Sequence, residues 1–93
     1  MKHRPDNRYL ELAASQTTPV PPPGRKWTTE QLREIRIEQA RDYERAWGAQ
    51  REALLERRPD VKPHLLARVR PQLRELDEAL AAVREWIVDQ GGG

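Results

Sequence analysis

The chain has 93 residues, enough for at most one small domain. Apolar residues make up 37% and charged residues 34%, with no Phe and no Cys, so disulfide and thiol chemistry are excluded. The net charge is only +2, which does not suit an obligate nucleic-acid binder with a large clustered basic excess.

Residues 1–26 read as an extended or disordered basic arm. Residues 1–27 hold five Lys/Arg against two Asp/Glu, 28–57 hold six against seven, and 58–93 hold six against six. The positive excess therefore falls in the arm. The first residues, MKHRPDNRYLELAAS, are charged and contain no apolar signal core. No apolar run approaches the length of a membrane span. A cytoplasmic protein, or one packaged into an assembly made in the cytoplasm, is expected, with no membrane contact.

Within the arm, Tyr9 to Ala14 suffices for a turn or two of helix, which is unstable in isolation. QTTPVPPPG then favours extended or polyproline II geometry, with Gly24 as a hinge. Tyr9, Leu10, Leu12 and Val20 are the apolar anchors by which such an arm would dock on a partner. Arg4, Arg8, Arg25 and Lys26 are its candidate contacts to phosphate or to an acidic partner.

A helical hairpin is expected over 27–90. Thr28 and Gln31 have capping-box spacing, and Trp27 and Leu32 have hydrophobic-staple spacing. The first helix is expected from about 29 to 57, a rod of roughly 43 Å. Leu32, Ile35, Ala40, Tyr43, Trp47 and Leu54 form its apolar stripe, with Gln39, Ala46 and Gln50 between them. Gly48 costs such a helix about 1 kcal/mol relative to Ala. It marks either a kink or the close approach of another backbone.

Pro59 ends the first helix, and Asp60 is a candidate N-cap for the second, expected over about 61–89. Pro71 falls inside it and predicts a kink or break, giving three helices if the break is complete. Leu66, Val69, Leu73, Leu76, Leu80, Val83 and Ile87 follow a spacing of alternating three and four residues. That is an unbroken coiled-coil-like seam over three heptads. In an antiparallel hairpin Trp27 and Trp86 would meet at the open end. Gly91 to Gly93 read as a frayed tail.

Signals for catalysis are missing. Asp60 and His64 are four apart, the spacing of two metal ligands, but no third or fourth ligand is evident. Glu34/Glu38 and Glu52/Glu56 have Arg nearby and no apolar pocket to perturb them. No phosphate loop, nucleophile elbow or Ser-His-Asp set occurs. A non-enzymatic protein with no cofactor, no metal and no small-molecule substrate is expected. The fold class is all-α, a long antiparallel hairpin with an extended Pro-rich arm.

Two functions fit that build. One is a structural, assembly or adaptor protein that self-associates as a homo-oligomer, or docks as a subunit of a larger assembly, through the seam and the arm. The other is a small DNA-binding regulator. Trp27-Thr28-x-Glu30 with Ile35, followed by Trp47 after 19 intervening residues, resembles the start of a Myb/SANT repeat. Leu54 and Arg58-Pro59 fall where that repeat has an apolar residue and its next turn. The resemblance covers about 40 residues, though Tyr43 to Trp47 lacks the loop that the family has between helices. Gln50 and Arg51 stand where the family has an apolar pair, and Leu66 where it has its third aromatic.

Overall fold

The computed structural model describes residues 7–92. Helix α1 spans Tyr9–Ala14, α2 spans Thr29–Glu56 and α3 spans Pro63–Asp89, with a single 3-10 turn at Pro59–Val61 between α2 and α3. The described residues contain no strand. The two long helices form an antiparallel hairpin, and the molecule measures 58 × 29 × 21 Å.

Local chemistry sets the start of α2. The Thr28 hydroxyl oxygen accepts a hydrogen bond from the Gln31 backbone N–H at 3.1 Å, and the Gln31 side-chain oxygen accepts from the Thr28 N–H at 3.0 Å. Two backbone donors that would otherwise be orphaned are thereby satisfied. Trp27 is half-buried, and its indole N–H donates to the Pro19 carbonyl at 2.6 Å. The Gln39 amide likewise donates to the Thr17 carbonyl at 2.9 Å. The proline-rich stretch is thus tied back along the first turns of α2.

From Thr29 the helix runs unbroken to Glu56. It passes through Tyr43 to Trp47 without the loop that the Myb/SANT resemblance implies. Gly48 neither breaks the helix nor admits a close neighbour, because a Cβ built there meets nothing within 4 Å.

The turn between the long helices uses a left-handed residue, Arg58 with φ 55°. Pro59 is buried beneath it. Asp60 does not cap α3. Lys62 occupies the N-cap and Pro63 begins the helix, where a missing N–H costs nothing. Pro71 lies on the exposed side, and α3 continues through it as one helix. The lost hydrogen bond falls where water can reach the freed carbonyl.

Gly91 and Gly92 are ordered by a Schellman motif rather than frayed, and Gly93 lies outside the described residues. Gly91 adopts φ 84°, its N–H donates to the Val88 carbonyl, and the Gly92 N–H donates to the Ile87 carbonyl. The Gly92 carbonyl accepts from Arg41 at 2.5 Å. A Cβ on Gly92 would come within 3.0 Å of Ile37. This contact fixes how far α3 reaches along α2. Its end lies level with Ile37, so the first turns of α2 overhang, and Trp86 packs well inside the open end instead of meeting Trp27.

The core is small and off-centre. Val83 and Ala40 are fully buried between the long helices, and Trp86, Ile87 and Leu80 are nearly so. Tyr9 and Ala13 of α1 complete this cluster, being 2% and 9% exposed. Residues 7–16 are therefore neither extended nor free of the hairpin. No helix among the described residues is long and apolar enough to cross a membrane.

Candidate functional site

Two parallel stripes line one face of the hairpin. On α2, Tyr43, Trp47, Gln50 and Leu54 recur at helical spacing, and on α3, Gln72, Glu75, Ala79, Ala82 and Trp86 do the same. Large residues stand along α2, and two alanines stand opposite on α3. The stripes therefore bound a groove running along the hairpin.

Helix α1 fills the open-end half of that groove. The Tyr9 ring packs edge-on against Trp86 at a centroid distance of 5.3 Å, Tyr43 at 6.0 Å and Trp47 at 6.4 Å. Such edge-to-face contacts add roughly 0.5–1.5 kcal/mol each to the burial itself. Burial, and then the neighbouring Tyr43 hydroxyl, push the Tyr9 pKa up to about 12. Asn7 anchors the start of the helix. Its side-chain oxygen accepts from the Tyr9 N–H at 2.8 Å, and its amide donates to the Ala82 carbonyl at 3.1 Å. The Gln16 amide donates to the Tyr43 hydroxyl at 3.0 Å.

The arm's candidate residues separate accordingly. Tyr9, Leu10 and Leu12 pack on the chain's own hairpin, whereas Val20 is 90% exposed. Arg8 pairs with Glu75 at 2.9 Å and Glu78 at 3.5 Å, so it is not a free phosphate contact. Arg25 and Lys26 are exposed beside the start of α2, and Arg4 lies outside the described residues. Asn7, which precedes the Arg8 N-cap and bonds the first turn of α1, carries no sequence signal apart from its type.

The seam residues turn inward. Val69, Leu80, Val83 and Ile87 are buried against the same chain, and Leu66, Leu73 and Leu76 are half-buried. On the turn side Leu66, Leu73 and Leu76 are less covered than Leu80, Val83 and Ile87, while Val69 among them is fully buried.

There the groove lies open. Leu54, Ala53 and Leu76 line one stretch with Gln50, Arg57, Gln72 and Glu75. Arg57 and Gln72 also border the next depression, which continues past Leu65, Val69, Arg68 and Lys62. The opposite face differs. It is laced across by Arg51–Asp77 at 2.6 Å and Arg84–Glu44 at 2.7 Å.

No protein-family model, curated protein or solved structure matches the chain. Geometry alone must therefore carry the chemistry. No set of three or more His, Cys, Asp or Glu side chains with metal-holding geometry occurs among the described residues. The Asp60/His64 pair is exposed at the turn, and Asp60 faces Arg58 at 3.5 Å. The Glu34/Glu38 and Glu52/Glu56 pairs are also exposed. What the groove offers is a half-buried apolar strip of a width that already accepts one short helix.

Proposed function

We propose that this is a non-enzymatic assembly or adaptor protein whose hairpin receives a helix from a protein partner in the open, turn-end half of its groove. The observation that carries this reading is the unequal covering of one face of the hairpin. Helix α1 covers Tyr43, Trp47 and Trp86 at one end, while Leu54, Leu76 and Leu65 lie half-covered at the other. An amphipathic helix laid along the second half would cover those leucines as α1 covers the aromatics, a common mode of peptide recognition. Each leucine moved fully out of water would contribute on the order of 1 kcal/mol.

The reading shifts weight away from two features of the sequence. The heptad seam closes mostly within one chain, so it serves stability first. The first half of the arm docks on its own hairpin, leaving Val20 and the exposed prolines as its outward part. A place in a cytoplasmic assembly remains part of the proposal.

The test is to titrate the isotope-labelled chain with a neutral helical peptide bearing leucines at i, i+3, i+4 and i+7. Backbone NMR shifts should move at Ala53, Leu54, Gln72 and Leu76 and stay still around Ala40. Ala53 is exposed and lines the groove, so Ala53→Arg should block the peptide without disturbing the fold. Shifts that are absent, or unchanged by Ala53→Arg, contradict the reading.

A further inference from the structure

Charge is sharply divided along the second half of the chain. Arg57, Arg58, Lys62, Arg68, Arg70 and Arg74 stand against Asp60 alone, and Glu75, Asp77, Glu78, Glu85 and Asp89 follow against Arg84 alone. Helix stability does not account for this order. Lys62 at the N-cap and Asp89 in the last turn of α3 each occupy the end where the helix dipole disfavours their charge.

The two blocks are treated differently by the fold. Glu75 and Glu78 pair with Arg8, Asp77 pairs with Arg51, and Glu85 and Asp89 also have interaction partners. The acidic block is thus consumed within the chain. In the basic block only Arg58 has an ion pair, with Asp60 at 3.5 Å. Arg57, Lys62, Arg68, Arg70 and Arg74 have none among the described residues. Three of these, Arg57, Lys62 and Arg68, border the open groove beside Leu65 and Val69.

We infer that the turn-end groove selects an acidic amphipathic helix, with apolar side chains on Leu54, Leu65 and Leu76 and carboxylates toward Arg57, Lys62 and Arg68. This deepens the docking reading above and rests on it. The apolar floor distinguishes such a ligand from a nucleic acid, whose phosphates need no leucines. Among the described residues no aromatic ring lines the turn-end groove: Tyr43, Trp47 and Trp86 lie under α1 at the other end, and Trp27 packs beside Pro19. A second copy of the chain is also a poorer match, because its acidic block is already paired and its α2 intersperses five Arg among seven Asp/Glu instead of presenting one sign. Charge complementarity of this kind gives specificity and speed of association more than raw affinity.

The experiment compares four labelled probes on the full chain by fluorescence anisotropy at low and at physiological salt. The first is a helical peptide of about 16 residues, spanning about 24 Å, with leucines on one face and glutamates elsewhere. In the second the glutamates are glutamines, and in the third the leucines of the first are alanines. The fourth is a short mixed-sequence DNA duplex. The Glu/Leu peptide should bind at least about tenfold more tightly than the Gln/Leu peptide, equivalent to about 1.4 kcal/mol. Raised salt should shrink that ratio. Arg57→Glu with Arg68→Glu, both exposed positions, should abolish the ratio. Equal binding of the Glu/Leu and Gln/Leu peptides overturns the acidic preference while leaving the docking reading intact. Failure of both leucine peptides overturns the two together. If the Glu/Ala peptide or the duplex binds as tightly as the Glu/Leu peptide, the end is a general polyanion surface and the inference is wrong.

Discussion

At the scale of single residues, Tyr9 decides how the molecule is built. It is the one aromatic contributed from outside the hairpin, and three aromatic rings of α2 and α3 face it. Its raised pKa, about 12 against an ordinary 10.0, makes docking sensitive to alkali. The unfolded or undocked tyrosine ionises near pH 10 while the docked one still holds its proton. The stability it contributes is therefore complete below pH 10 and is lost as the pH rises from 10 to about 12. Tryptophan fluorescence should report release of α1 across that window at constant ionic strength. Tyr9→Phe keeps the ring and should remove the transition, whereas Tyr9→Ala should free α1 at neutral pH at a cost of about 3–5 kcal/mol. If the transition persists unchanged in the Phe variant, another group is responsible.

The elements follow local rules wherever the rule concerns neighbours in sequence. The capping box at Thr28 and Gln31 is legible because both partners lie within one turn. The inward seam on α3 is legible because its period needs a helix to face. Helix α1 is harder to read. Its own preference is weak, and its order comes from Trp86, Tyr43 and Ala82, far away in the chain. The Schellman cap at Gly91 and Gly92 is likewise hidden in a glycine run that also describes a loose tail; its contact with Ile37 is what gives it one conformation. Gly48 is the simplest case to test. It is helical, and a Cβ there meets open space. Gly48→Ala should stabilise the chain by about 1 kcal/mol, read as a higher denaturant midpoint with an unchanged slope. Gly91→Ala should do the reverse by a similar amount, because φ 84° strains any Cβ. A destabilising Gly48→Ala would show that the helix needs flexibility there.

For the whole molecule, one asymmetry organises the account. Three helices share the open end, two share the turn end, and the turn end carries the uncompensated basic side chains. The sequence shows the hairpin clearly but hides this asymmetry. A charge tally over 58–93 is balanced, because a basic block and an acidic block cancel within it. Only the folded chain shows that Arg8 and Arg51 pair with Glu75, Glu78 and Asp77 while the basic block stays exposed. The open groove is equally invisible, since Leu54 and Leu76 have the same spacing as their covered counterparts.

The central claim is that one chain closes its own seam and docks its own arm. It is tested most directly by X-ray scattering from the chromatographically purified chain, which gives mass and shape together. The account predicts a 10.9 kDa monomer with a radius of gyration near 16.7 Å, well above the roughly 12 Å of a compact globule this long. A particle of twice that mass or more at micromolar concentration would mean that seam or arm is shared between copies, and would contradict it.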